Sequence, residues 1–302
     1  MTKISVIIPT FRRPEGLRRA LVSVLAQQSA PDFEIVVVDN APEGGAREAV
    51  SEIAAMAIRP IRFVHEKRPG VATARNAGWA AASAPRIAFL DDDEEATPHW
   101  LAALDRAATE LEADAVFGPI EAVAPPTGWA AHAKFLSDFF GRSGPAATQI
   151  VAIYWGCGNS LIDRARAGLM APPFDPAHDR LGGEDDLLFS AIQARGARFG
   201  WAATALAYEH VPADRANLRY VLQRSFAFGQ GPSQTAAGQR APLRVAFWMM
   251  VGAGQALAYG AAAAALWPTG SERRAFMLGR ATQGLGKIFW FDRFAPRLYG
   301  AP

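Results

Sequence analysis

A doubly wound α/β sheet, mostly parallel and with helices on both faces, is the fold this sequence predicts, followed by a C-terminal helical region. Three observations predict it. Short β-branched runs alternate with segments whose apolar residues repeat at helical spacing, the pattern of successive βαβ units. The run at 4–8 is continuous rather than alternating, as a strand buried on both faces requires, and 33–38 makes a second strand. Polar residues gather just beyond these runs, where an open α/β sheet presents its binding groups.

Each element has its own signal. Pro9-Thr10 stops the first strand, and Leu17, Leu21, Val24 and Leu25 then recur at helical spacing after Pro14, whose fixed φ suits a first helical turn. The second strand ends at Asp39-Asn40. A helix at 46–56, a strand at 61–64 and a helix at 71–82 follow. Residues 87–90 form the next strand, 98–111 a helix opened by Pro98, and 115–117 another strand. From 118 to 147 the periodicity fades, and Trp129, Phe135, Phe139 and Phe140 stand among Gly, Pro and small residues as an excursion from the sheet.

Composition excludes some functions. A formal charge of +2 over 302 residues is too small to argue for nucleic acid. Cys157 is the single cysteine, which forbids an intramolecular disulfide and suits a reducing compartment. The run at 4–8 is too short for a signal peptide and is cut by Pro9, so the expectation is a cytoplasmic catalytic part.

The chemistry concentrates in Asp91-Asp92-Asp93-Glu94-Glu95, where an apolar strand ends in adjacent carboxylates. Like charges so placed need water or a cation. In an extended chain Asp91 and Asp93 share a face while Asp92 points elsewhere, and two hard oxygen ligands form a seat for Mg²⁺ or Mn²⁺ with room for water and phosphate. The plain alternative is a solvated acidic turn. Thr10 and Arg12 follow the first strand, and Asp39, an acceptor for a ribose hydroxyl or a base N–H, follows the second. Pro9-Thr10-Phe11-Arg12-Arg13-Pro14 stands where a dinucleotide fold needs its glycines, so a bound nucleotide would need its pyrophosphate neutralised by other means. Arg75, early in its helix, needs an anionic partner, either a nucleotide or a carboxylate of the same loops.

In the second half, Tyr154-Trp155-Gly156-Cys157-Gly158-Asn159-Ser160 joins flexible backbone to polar and aromatic side chains, a surface of the kind that meets sugar rings. Cys157 reads as a small hydrophobe. Gly182-Gly183-Glu184-Asp185-Asp186 opens a helix marked by Leu188 and Ile192, and its dipole favours ionised acids in the first turn. Asp185 is there a candidate base for a sugar hydroxyl, with plain N-terminal capping as the alternative. His210 lies beside a turn and is a candidate to complete a carboxylate-led metal site, while Arg215, Arg219 and Arg224 are phosphate candidates.

Taken together, Val6-Ile7-Ile8-Pro9-Thr10-Phe11, Val37-Val38-Asp39, Gly70 with Ala74-Arg75-Asn76, Phe89-Leu90-Asp91-Asp92-Asp93, Gly183-Glu184-Asp185 and His210 resemble the family 2 glycosyltransferases of the GT-A fold, of the bacterial polysaccharide and glycolipid assembly type. The resemblance covers about residues 4–231. It implies a catalytic domain at 1–231, with a nucleotide-sugar half near 1–118 and an acceptor half near 119–231, and a separate apolar helical region at 232–302. It implies donor binding by Pro9, Thr10, Arg12, Asp39, Arg75, Asp91 and Asp92, a Mg²⁺ or Mn²⁺ on Asp93 with His210, and Asp185 as general base. Trp155, Gly158, Asn159, Glu184, Arg215 and Arg224 are then acceptor or phosphate candidates. The implied reaction is inverting transfer from a nucleotide sugar, a UDP-sugar by family precedent, to a hydroxyl of a saccharide or lipid-linked acceptor. Processive relatives carry Gln-x-x-Arg-Trp, which Gln223-Arg224-Ser225-Phe226 does not match, so one transfer per encounter is expected. The alternatives are a non-catalytic nucleotide-sugar-binding scaffold and a metal-dependent nucleotidyltransferase.

Residues 245–271 carry no formal charge and are long enough to span a bilayer, although alanine and glycine dilute their hydrophobicity. A single crossing gives poor positive-inside bias. The expectation is peripheral or monotopic membrane contact through 243–291, at the inner face of the cell membrane, with packing on the catalytic domain or an oligomer interface as the alternative.

Overall fold

The computed structural model describes residues 2–129, 131–179, 183–269 and 271–296. In chain order the first elements are β1 (Ile4–Thr10), α1 (Pro14–Leu25), β2 (Phe33–Asp39), α2 (Arg47–Ala54), β3 (Ile61–His65), α3 (Val71–Ala81) and β4 (Arg86–Phe89). Then come β5 (Glu94–Ala96), α4 (Trp100–Glu110), β6 (Ala115–Phe117), β7 (Ile120–Val123), α5 (Ala133–Phe140), β8 (Gln149–Val151) and β9 (Ser160–Asp163). The chain continues with α6 (Glu184–Ala194), β10 (Phe199–Trp201), β11 (Ala207–His210), α7 (Leu218–Gly238), α8 (Pro242–Ala265) and α9 (Glu272–Ile288). Two compact units result, Met1–Ala122 with Gly141–His210, and Val123–Phe140 with Val211–Pro302.

The first unit is a mixed α/β fold. Its main sheet runs β3-β2-β1-β4-β9-β6-β10-β8, with β3, β2, β1 and β4 mutually parallel and β9 antiparallel between β4 and β6. Side chains of β1 leave alternately on two faces. Ile4, Val6 and Ile8 join Leu17, Leu21, Val24, Trp100 and Leu104 in one core, while Ile7 joins Val36, Trp79, Phe89 and Phe117 in the other. Burial on both faces explains the continuous apolar runs, and each such side chain contributes roughly 1.5–3 kcal/mol. The strand ends are thereby held on a stiff platform.

The strand–helix alternation of the first half appears as expected. The short strands β5 and β7–β11 were not legible, because three or four residues within the acidic run or the less regular second half carry too little periodicity. A small second sheet, β5-β11-β7, branches from the acidic run and aligns Glu209 with Glu94 and Tyr208 with Glu95.

The second unit contains α5 and α7–α9. The boundary expected at 231 falls within α7, which runs through Gly231 and Pro232 without a break. Tertiary packing outweighs the two breakers: a Cβ on Gly229 would lie 2.2 Å from the Gln283 carbonyl oxygen, so α7 is seated closely on α9.

Candidate active site

The acidic run leaves β4 as a turn, not as an extended strand. The expected pairing of Asp91 with Asp93 on one face is therefore wrong, because the twofold side-chain alternation applies only to extended chain. Asp92 accepts from Thr10 Oγ1 at 2.8 Å, from the Phe11 amide at 3.3 Å and from Arg13 Nη1 at 3.0 Å. The same Arg13 nitrogen donates to Asp93 Oδ2 at 2.6 Å. Asp91 turns away to Arg75, whose Nη2 donates to its Oδ1 at 3.4 Å. Burial, with Asp93 adding to it, pushes Asp92 up to about 6, although Arg13 and Thr10 oppose the rise.

Arg13 was not singled out in the sequence; Arg12 was. Arg12 has a φ of 56° and is exposed, donating through Nε to Glu43 at 2.6 Å. One residue of separation decides which arginine reaches the acids, and only the turn after β1 fixes it.

Arg75 is 4% exposed in α3 and joins Asp91, at the end of β4, to α6. Its Nη1 donates to Glu184 Oε1, while its buried Nε has no hydrogen-bond partner, so the guanidinium is held by its terminal nitrogens. Burial works to lower the Arg75 pKa, yet the surrounding acids, Asp91, Glu184 and Asp185 among them, hold it well above the ordinary value. Cys157 beside it is a neutral thiol, pushed well up by burial. Glu94 is also buried and accepts from the amides of Asp91 at 3.0 Å and Asn159 at 3.1 Å. Burial and the Asp91 charge push Glu94 well above the usual carboxylate range.

Asp185 occupies the first turn of α6, which Gly183 enters at φ 83°; Gly182 lies outside the described residues. Its Oδ2 accepts from the Cys157 amide at 3.3 Å and its Oδ1 from the Asp186 amide at 2.9 Å, and the residue is partly exposed. The glycine loop packs directly on these acids. A Cβ on Gly156 would lie 2.8 Å from Asp185 Oδ2, and one on Gly158 would lie 2.7 Å from both Asp91 Oδ2 and Glu94 Oε1. Any larger residue would push the acids apart.

Arg142 holds that loop and was missed. Its Nη1 donates to the carbonyls of Gly158 at 2.8 Å and Asn159 at 3.2 Å, and its Nη2 to Gly156 at 3.1 Å. The signal was a lone arginine in an aperiodic stretch, and its partners are backbone atoms that no side-chain motif encodes.

Other candidates turn inward. The Asn159 amide donates to the carbonyls of Pro119 at 2.7 Å and Ala205 at 2.8 Å and accepts from Trp100 Nε1 at 2.8 Å, so the structure uses this side chain internally. Trp155 packs 5.7 Å from Phe117 and 4.8 Å from Trp201, between ring centroids. Tyr154 donates its hydroxyl to Asp186 at 2.9 Å, and burial with that carboxylate pushes its pKa up to about 12. Asp39 is buried and accepts from the amides of Ala41 at 3.0 Å and Ala46 at 2.8 Å, which shapes the loop after β2. Pro9 and Thr10 align with Val38 and Asp39 in the β1–β2 register. Neighbouring Asn40, also overlooked, ties this loop to Glu66, Arg68 and Gly70. Arg215 and Arg224 belong to the second unit, where they lie over the rings of Tyr220 at 5.7 Å and Phe228 at 5.0 Å.

Asp93 and His210, the pair expected to hold a metal, are neighbours through the backbone. The His210 amide donates to the Asp93 carbonyl at 2.8 Å, which sets the two residues side by side, but the His210 ring meets Glu95 Oε2 at 2.8 Å. No group of three His, Cys, Asp or Glu able to hold a metal occurs among the described residues. The acids still fit a divalent cation of the type held by one or two carboxylates and completed by phosphate and water. Asp91, Asp92, Asp93, Glu184 and Asp185 outnumber Arg13, Arg75 and Arg142, and a diphosphate would be repelled here without further positive charge.

Residues 5–165 match the family described as Glycosyl transferase family 2. The chain is 32% identical over 289 residues to succinoglycan biosynthesis protein ExoM of Rhizobium meliloti (strain 1021), covering 94% of this chain and 91% of that protein. It is 40% identical over 101 residues to validoxylamine A glucosyltransferase of Streptomyces hygroscopicus subsp. limoneus, covering 32% of this chain and 22% of that protein. Among solved structures it is similar to S. aureus TarS 1-349 in complex with UDP-GlcNAc, with a TM-score of 0.55, 16% identity and coverage of 75% of this chain and 66% of that one. It is also similar to GalNAc-T7 with UDP, GalNAc and Mn2+, with a TM-score of 0.56, 16% identity and coverage of 78% and 51%. These structural likenesses establish the GT-A fold.

Proposed function

Because the chain belongs to glycosyl transferase family 2, we propose that it transfers a single sugar, with inversion, from a UDP-sugar to a hydroxyl of a saccharide or lipid-linked acceptor in polysaccharide assembly. The observation that carries the reading is the bridge made by Arg75. Its guanidinium joins Asp91, at the end of β4, to Glu184, beside the candidate base Asp185. Groups suited to a donor and to an acceptor thus share one cluster.

In this reading Thr10, Asp39 and Asp91 face the nucleoside, and Asp92 and Asp93, steadied by Arg13, face the diphosphate. Asp93 would hold Mg²⁺ or Mn²⁺, which would supply positive charge against a departing diphosphate. Asp185 takes the proton of the acceptor hydroxyl as that oxygen attacks the anomeric carbon. The bond from this carbon to the diphosphate oxygen breaks on the opposite side, which inverts the configuration. The Cys157 amide donates to Asp185 Oδ2 at 3.3 Å, and the close seat of Gly156 fixes the carboxylate's position. Arg142 keeps the loop 156–159 in place and thereby acts through it.

Purified protein incubated with a set of nucleotide sugars, soluble and lipid-linked acceptors and Mn²⁺ tests the reading by the phosphate product. Release of nucleoside diphosphate together with a lengthened acceptor is expected. Release of pyrophosphate from a nucleoside triphosphate would replace it with nucleotidyl transfer, and diphosphate binding without turnover across all acceptors would replace it with a scaffold.

A further inference from the structure

The second unit carries a surface that the transfer chemistry does not use. On α8, Leu243, Phe247, Met250 and Leu257 are 85%, 53%, 68% and 75% exposed. Their spacing of three, four and seven places them on one helix face, which Gly254 and Ala261 continue. At 1.5 Å per residue the 24 residues of α8 form a rod about 36 Å long. The opposite side of α8 is already occupied, with Gly252 of α8 in close backbone contact with Gly284 of α9. Gln255 donates to the Arg280 carbonyl at 2.8 Å and accepts from Lys287 Nζ at 3.0 Å. The exposed stripe is therefore not a face waiting for this helix trio to close.

Charge is distributed to match one occupant. Twelve of the 31 Lys and Arg, but four of the 29 Asp and Glu, fall in this unit, although the whole chain carries only +2. Arg240 and Arg244 stand at the start of α8, and Arg273 and Arg274 follow its end, beyond an uncharged stretch. Trp267 is 69% exposed there, with the Arg274 guanidinium 4.1 Å from its ring centre. By length and composition α8 is long and apolar enough to cross a membrane. A crossing together with its partner α9 would carry Lys287, beside Gln255, to mid-depth. Lying in the interface leaves the basic groups at the level of the headgroups.

We propose that the apolar face of α8 docks on an anionic lipid surface, the helix lying in the plane of the interface with the arginines at its two ends on the headgroups.

Co-sedimentation of the full chain with vesicles tests this, using phosphatidylcholine alone or mixed with phosphatidylglycerol at low and raised salt. The protein should sediment with the mixed vesicles, and salt should release part of it. Leu257→Glu and Met250→Glu, both at exposed positions, should each weaken binding about tenfold, and Arg244→Gln about fivefold. Circular dichroism unchanged from the parent would show that each variant is folded. Protein that stays in the supernatant with both vesicle types would overturn the proposal, as would equal, salt-independent binding to neutral and anionic vesicles. A solution dimer that Leu257→Glu dissociates, without vesicle binding by the parent, would assign the face to a second copy and overturn it too.

Discussion

Replacing Arg75 by methionine should reveal how the acid cluster is held. The substitution keeps the unbranched apolar stem and removes the guanidinium that joins Asp91 and Glu184. Arg75 and Glu184 are each 4% exposed, so the carboxylate left behind cannot recover its hydration by moving into solvent. Breaking such a pair costs about 3–5 kcal/mol, a large fraction of the ~5–15 kcal/mol that holds a typical domain together. The cost should depend on pH. Burial already holds the Glu184 carboxyl above its ordinary value against the pull of Arg75, and removing the cation raises it further, so the variant loses stability relative to the parent as pH rises, by up to about 1.4 kcal/mol per unit until that pKa is passed. Urea unfolding of parent and variant from pH 5 to 8, followed by tryptophan fluorescence, would measure the gap, which should widen with pH. The double variant Arg75→Met with Glu184→Leu should regain much of the stability, since an apolar pair of similar volume replaces a desolvated ion pair. It should not regain transfer activity. A cost below about 1 kcal/mol for Arg75→Met, or a gap independent of pH, would refute the view that this bridge holds the cluster.

Four further outcomes are expected. Asp185→Asn should lower kcat by about 10²–10⁴-fold with little change in nucleoside diphosphate affinity, as steady-state kinetics and calorimetry would record. Asp92→Asn should gain stability over the parent as pH rises through about 6, because a raised folded-state pKa means that ionisation of Asp92 opposes folding. The two-unit rise sets an upper bound of roughly 3 kcal/mol on that gain, and parallel unfolding midpoints across pH would contradict it. Gly158→Ala places a Cβ 2.7 Å from Asp91 Oδ2 and Glu94 Oε1, so a stability loss of about 1–3 kcal/mol and weaker donor binding should appear in thermal melts and titrations. Treatment with a chelator should abolish diphosphate release and added Mn²⁺ or Mg²⁺ restore it, whereas full turnover in the chelator would remove the cation from the reading.

Much of the first half was legible because local chemistry and tertiary role agree there. Residues 4–8 and 33–38 are apolar apart from Ser5 and Glu34, which pair with each other, because both faces of β1 and β2 are covered, and Pro14 opens α1 where its ring requires. The acids after β4 were likewise visible as charges that need a cation. Their partners were not: whether Arg12 or Arg13 turns inward depends on one backbone torsion after β1, and no composition signal separates two adjacent arginines.

Sequence by itself determined the alternation of strands and helices of the first half, the strand ends at which carboxylates accumulate, and the uncharged stretch at 245–271. These follow from periodicity and charge within a few residues. Tertiary structure alone decided that Asp91 and Glu184, 93 positions apart, share one arginine, that Arg142 holds backbone carbonyls of the glycine loop, and that the His210 ring meets Glu95. The reason is physical: a buried charge is satisfied by whichever group the packed sheet brings within about 3 Å, and that distance is set by strand order and register, which no local stretch of chain contains.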